Sequence, residues 1–119
     1  MSLGELDPVI HAPKRLAIMA ILAASEWAEF AFLRERLELS DSDLSKQMKV
    51  LLDAGYVKIT KRGRGRGAST WYRGTREGRG AFKLHVASLE SLIAGAPAPP
   101  DAPHAAKQSP LARPERQPS

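Results

Sequence analysis

The chain has 119 residues and a formal net charge of +5, is 43% hydrophobic, and contains no cysteine. That length suits one compact domain, and the missing thiol removes disulfides, thiolate metal sites and a cysteine nucleophile together. The longest uncharged apolar stretch, Leu16 to Ser25, falls well short of the roughly 20 residues that cross a bilayer. The acidic start, Met1 to Asp7, is unlike the basic opening of a signal peptide, so no membrane segment and a cytoplasmic location are expected.

Residues 1–10 read as an N-terminal extension. Pro13 suits a first helical turn, and Lys14 to Ala24 is rich in strong helix formers and apolar on most sides, which predicts a buried helix 1. A short extended piece, Trp27 to Glu29, leads into helix 2, Phe30 to Leu37, with Phe30, Leu33 and Leu37 on one stripe. Ser40-Asp-Ser-Asp43 forms a capping box, Ser40 accepting from the third amide and Asp43 reaching back. Leu44, Met48, Leu51 and Leu52 then point inward from a helix 3 over about residues 41–54. Gly55 stops it.

From Val57 the period changes to two, Val57 and Ile59 alternating with Lys58 and Thr60, so a strand runs from Val57 to Lys61. A second strand near Thr70 to Arg73 follows the connection Arg62-Gly-Arg-Gly-Arg-Gly-Ala-Ser69, and the pair reads as a hairpin with a mobile tip. Thr75 caps a last helix from about Arg76 to Ala94, with the stripe Phe82, Val86, Leu89 and Ile93. Beyond Gly95 lie seven of the nine prolines, and residues 95–119 are expected to be disordered.

Charge is not spread evenly over these elements. Residues 58–83 hold nine Lys/Arg against Glu77 alone, net +8, whereas residues 1–57 are net −3. One-sided clustering of mostly arginine favours a polyanionic partner, because the guanidinium fork donates to phosphate in pairs. The order helix, strand, helix, helix, strand, strand, helix over residues 11–94 is that of an α+β, mostly α, winged helix. Helices 2 and 3 form its helix-turn-helix, and the hairpin is its wing.

The stretch Leu39-Ser-Asp-Ser-Asp-Leu-Ser-Lys-Gln-Met-Lys-Val-Leu-Leu-Asp-Ala-Gly-Tyr-Val57 resembles the recognition-helix segment of bacterial MarR-like and ArsR-like winged-helix transcriptional regulators. His11-Ala-Pro-Lys-Arg-Leu-Ala-Ile18 is similar to the opening of a small stand-alone MarR-related group. The resemblance implies a sequence-specific regulator of double-stranded DNA, more commonly a repressor. It also implies a homodimer through the terminal helices, here helix 1 and helix 4. Ser42, Ser45, Lys46 and Gln47 stand at positions similar to those families' base and phosphate contacts.

Physical chemistry sorts these residues further. Gln47 can pair bidentately with adenine and is the best base reader, whereas Lys46 and Lys49 suit phosphates. Arg64 and Arg66, between glycines at the tip, suit a narrow minor groove. Lys61, Arg62 and Arg73 flank the tip and suit backbone phosphates, while Arg76 and Arg79 either join them or stay solvated.

Three other readings remain. The Arg-Gly run from Arg62 to Gly67 resembles RNA-binding RG segments, and winged helices also serve as protein-interaction adaptors. An enzyme has no support: His11, His85 and His104 are scattered, and no nucleophile–base pair, metal site or cofactor site is visible. Trp27, Phe30, Phe32, Trp71 and Tyr72 are the only material for a small-molecule effector pocket.

Overall fold

In the computed structural model, residues 6–96 are described. The tail expected to be disordered therefore lies outside the described residues beyond Ala96. The elements are α1 (Pro13–Ala23), β1 (Ala28–Glu29), α2 (Phe30–Leu37), α3 (Asp41–Asp53), β2 (Val57–Arg62), β3 (Ser69–Gly74) and α4 (Arg76–Ala94). This is the expected order, and the fold is a winged helix: mostly helical, with one antiparallel sheet in the order β1-β3-β2. Among the described residues, no helix is long and apolar enough to cross a membrane.

Pro13 opens α1 without a side-chain cap from Ala12, and the helix buries Ile18, Met19 and Leu22 completely. At the start of α3, Ser40 Oγ accepts the Asp43 amide at 3.1 Å as expected. The reciprocal half of the capping box is not formed. Asp43 instead accepts from Lys14 Nζ at 2.5 Å and from Gln47 Nε2 at 3.0 Å. The reason is tertiary: α1 brings an ammonium within reach, and a charged donor outcompetes a backbone amide. The other end of α3 closes as a Schellman turn. Gly55 sits at φ 78°, its amide bonds Leu52 O at 3.0 Å, and the Tyr56 amide bonds Leu51 O at 3.0 Å.

Core residues come from nearly every element: Ile18, Met19, Leu22, Ala28, Leu33, Leu44, Met48, Leu51, Val57 and Tyr72. Ile10 joins them fully buried, so packing begins before the boundary expected at His11. The expected stripe of α4 needs correction. Phe82, Val86 and Leu89 are only half-buried, Ile93 is 73% exposed, and the residues that α4 buries are Gly78 and His85. At about 1.5 Å per residue, this 19-residue helix outruns the 11-residue α1 against which it packs. Its far end therefore has no core to enter.

The hairpin is longer than the sequence suggested. β2 and β3 stay in register from Val57 opposite Gly74 to Arg62 opposite Ser69. Between them Gly63 (φ 82°) and Gly65 (φ 58°) take left-handed conformations that lead into a short 3₁₀ turn, Gly65–Gly67. A Cβ on Gly63 would lie 2.8 Å from Gly67 O, which is why this tip is built from glycine.

Candidate nucleic-acid interface

Helix α3 divides cleanly between core and solvent. Leu44, Met48 and Leu51 are buried, and Ser42, Ser45, Lys46 and Lys49 are exposed. Gln47 is half-buried on the flank facing α1. Its Oε1 accepts from Arg15 Nη1 at 2.7 Å, and its Nε2 donates to Asp43. Arg15 Nε in turn donates to Val9 O at 2.6 Å. Lys14, Arg15, Asp43 and Gln47 thus form one clamp that fixes α3 on α1, and the ammonium of Lys14, then the amide of Gln47, hold the Asp43 carboxyl below its usual pKa. The sequence reading missed Lys14 and Arg15 in this role. Their signal was present in the run from His11 to Ile18, but only the fold shows what they touch.

Lys49 pairs with Asp53 at 3.1 Å, both side chains well exposed, and such pairs contribute little and exchange readily. On α2, Arg34 bonds Asp41 at 2.9 Å and so ties the two helices of the helix-turn-helix together. That carboxylate, first by its hydrogen bond, raises the Arg34 pKa further.

On the wing, Lys61, Arg62, Arg64 and Arg66 are all exposed, and none forms an ion pair among the described residues. The Arg62 guanidinium lies 6.0 Å from the Trp71 ring centre, a cation–π contact. Arg73 does not flank the tip as expected. The unbroken β2–β3 register sets it opposite Lys58, four residues from the Ser69 end and about 14 Å along the strand. There it lies half-buried, with its guanidinium 5.4 Å from the Trp27 ring centre.

Arg79 proves structural. It donates to Gly74 O of β3 at 3.1 Å, and to Ser25 O at 2.9 Å and Ala23 O at 3.4 Å, carbonyls that the end of α1 leaves without helical partners. Arg76 is exposed.

The histidines are also accounted for. His85 is buried; its Nδ1 accepts the Asp7 amide at 3.1 Å, and its Nε2 lies 3.3 Å from His11 Nδ1. Burial, then the charge of His11, lowers the His85 pKa against an opposing pull from Asp7. Tyr56 Oη donates to Asp7 Oδ2 at 2.5 Å, and this bond, with burial, pushes the phenol up to about 12. The cluster pins the N-terminal segment to α4. His104 lies outside the described residues, and among these no group of three or more His, Cys, Asp or Glu is arranged to hold a metal ion.

Four of these five aromatics pack within the fold. Tyr72 is buried, with Phe30 6.4 Å away between ring centres. Trp27 and Trp71 lie against arginines, and Phe32 is exposed. An apolar cleft of about 570 Å³ lies elsewhere, with Ala23, Phe82, Val86 and Ala87 in its lining beside Lys83.

Comparison with known proteins agrees with the fold. A family model described as a winged helix DNA-binding domain matches residues 14–93. The uncharacterized protein MJ0432 of Methanocaldococcus jannaschii is 32% identical over 87 residues, covering 71% of this chain and 91% of its own. The structure of a transcriptional regulator homologue from Pyrococcus horikoshii superposes with a TM-score of 0.69 at 30% identity, over 73% of this chain and 86% of that one. Lactococcus lactis ZitR, a zinc-responsive MarR family member, shares the fold with a TM-score of 0.57 at 24% identity, over 79% and 65% of the two chains.

Proposed function

Because the chain belongs to the winged helix DNA-binding domain family of transcriptional regulators, we propose that it is a repressor that binds a pseudo-palindromic operator as a homodimer. Helix α3 enters the major groove, and the tip of the β2–β3 wing enters the flanking minor groove. The carrying observation is the wing tip: Arg64 and Arg66, exposed and without acidic partners among the described residues, sit on a turn of glycines that permits close backbone approach. On α3, Ser42, Ser45 and Lys46 meet the groove directly. Gln47 keeps one lone pair and one N–H beyond its bonds to Arg15 and Asp43, and with these it reads adenine. Lys49, Lys61 and Arg62 take phosphates.

The homodimer reading is supported by the far end of α4, where Ile93, 73% exposed, shares one side of the helix with the half-buried Val86 and Leu89. Burying such a surface in a second copy removes apolar area from water that the monomer leaves wet. A small-molecule effector would reach the cleft beside Phe82 and Val86, where α4 meets the end of α1.

The test is to incubate the full chain with its own fragmented genomic DNA near 0.15 M salt, with excess RNA as competitor, and to sequence what is retained. Sharp peaks with half-sites about one helical turn apart, roughly 34–36 Å, are expected beside the genes it represses. Uniform retention, or retention abolished by RNA, would overturn the proposal.

A further inference from the structure

A second basic feature lies at the opposite end of the hairpin from the tip. A cleft of about 370 Å³ is lined by Lys58, Arg73, Gly74, Thr75, Arg76 and Arg79, four cations and no acid. None of the four forms an ion pair among the described residues. Lys58 and Arg73 stand directly opposite each other across β2 and β3, an arrangement of like charges that costs stability unless an anion offsets it. Two of the charges are already placed: Arg73 by its contact with the Trp27 ring, Arg79 by the carbonyls of Gly74, Ser25 and Ala23. The Thr75 hydroxyl is spent on the Gly78 amide and Gly55 O, so recognition here depends on charge. Glycine at position 74 gives Arg79 its close approach, since a Cβ would meet Arg79 Cγ at 3.3 Å.

We propose that this cleft is a phosphate-binding site, separate from both α3 and the wing tip. Prearranged guanidinium groups in a lining that holds no carboxylate match a phosphate in geometry and charge, and the volume holds more than one phosphoryl group. Two sources supply that chemistry: a backbone phosphate of the bound duplex, or a free small phosphoester. The first rests on the DNA-binding reading and the second does not.

The test compares the wild-type full chain with Lys58→Gln/Arg76→Gln, two exposed positions whose change leaves the fold intact by circular dichroism, and with the tip variant Arg64→Gln/Arg66→Gln. Pyrophosphate is titrated by calorimetry and thermal unfolding at constant ionic strength. Such anions also stabilise proteins generally by exclusion from the surface, so the readout is the difference between proteins. One pyrophosphate per chain, with a rise in Tm for the wild type and the tip variant that Lys58→Gln/Arg76→Gln lacks, identifies a free phosphoester site.

With no such difference, the DNA arm decides. A fall of about 1 to 2 in the salt slope of DNA binding for Lys58→Gln/Arg76→Gln identifies the duplex backbone as the source. If neither arm separates that variant from the wild type, the proposal is overturned. A wild-type chain that fails to bind DNA refutes the proposed function instead, and the pyrophosphate arm alone then decides this one.

Discussion

Gly78 is a glycine in the first turn of a helix, where replacement by alanine ordinarily stabilises by about 1 kcal/mol. Here the sign should reverse. An added Cβ would lie 2.0 Å from Tyr56 O and 2.8 Å from both Tyr56 C and Cα, all of them backbone atoms that cannot swing aside. The contacted segment is pinned: Tyr56 O accepts the Thr75 amide at 3.0 Å, Gly55 O accepts from Thr75 Oγ1 at 2.7 Å, and the Tyr56 amide bonds Leu51 O at 3.0 Å. Relief requires moving α4 off the end of α3 by about an ångström. Overpacking of this kind costs typically 1–3 kcal/mol, and each strained hydrogen bond adds about 1. Set against the propensity gain, Gly78→Ala should lose about 2 kcal/mol net, a fall in Tm of roughly 8–16 °C for a domain of this size. Gly80, two residues on, has nothing within 4 Å of an added Cβ, so Gly80→Ala should gain the ordinary increment. Urea titration of both variants by circular dichroism, at one protein concentration because a dimer would couple stability to it, gives the comparison. If Gly78→Ala matches or exceeds the wild type in midpoint, the close approach of α4 to Tyr56 is wrong.

The buried His85 should make stability fall with acidity. Its pKa is lowered in the fold from an ordinary 6.5, so below that pH the unfolded chain takes up a proton that the folded chain resists, and stability present above about pH 6.5 is lost as pH drops further. Unfolding curves at pH 7.5 and 5.5 should differ more for the wild type than for His85→Gln; equal differences would refute this. Tyr56→Phe removes the donor to Asp7 Oδ2 and should cost about 1 kcal/mol, read as a lower urea midpoint with unchanged m. Arg64→Gln/Arg66→Gln should lower the magnitude of the DNA salt slope by about 2 while leaving the base preference set by α3 unchanged. A changed preference at the positions assigned to α3 in a selection experiment would refute this division of roles.

Local chemistry explains why so much of the fold was legible. Ser40 and Thr75 are caps whose partners lie three residues away, Gly55 ends α3 by its own backbone freedom, and the change from helical to alternating period at Val57 needs no tertiary information. These signals place the elements to within one or two residues. They also place Ser42, Ser45, Lys46 and Lys49 outward, since Leu44, Met48 and Leu51 must face in. What they could not reach was pairing across the chain. Asp43 follows the capping-box spacing, yet it turns to Lys14, 29 residues away. Arg73 looks like a flank of the tip until the register with β2 moves it opposite Lys58.

The sequence alone determined the element order, the winged-helix class and the concentration of positive charge between residues 58 and 83, because each depends on neighbours a few residues apart. Only the tertiary structure decided which of those charges are committed. It fastened Arg79 to carbonyls at the end of α1, drew Gln47 into a clamp with Arg15, buried His85 against Asp7, and left Arg64 and Arg66 free of acidic partners among the described residues. A side chain's partners depend on distances in space that hydrophobic periodicity does not encode. Two arginines of identical chemistry can therefore end differently, one as a latch inside the fold and the other exposed to solvent.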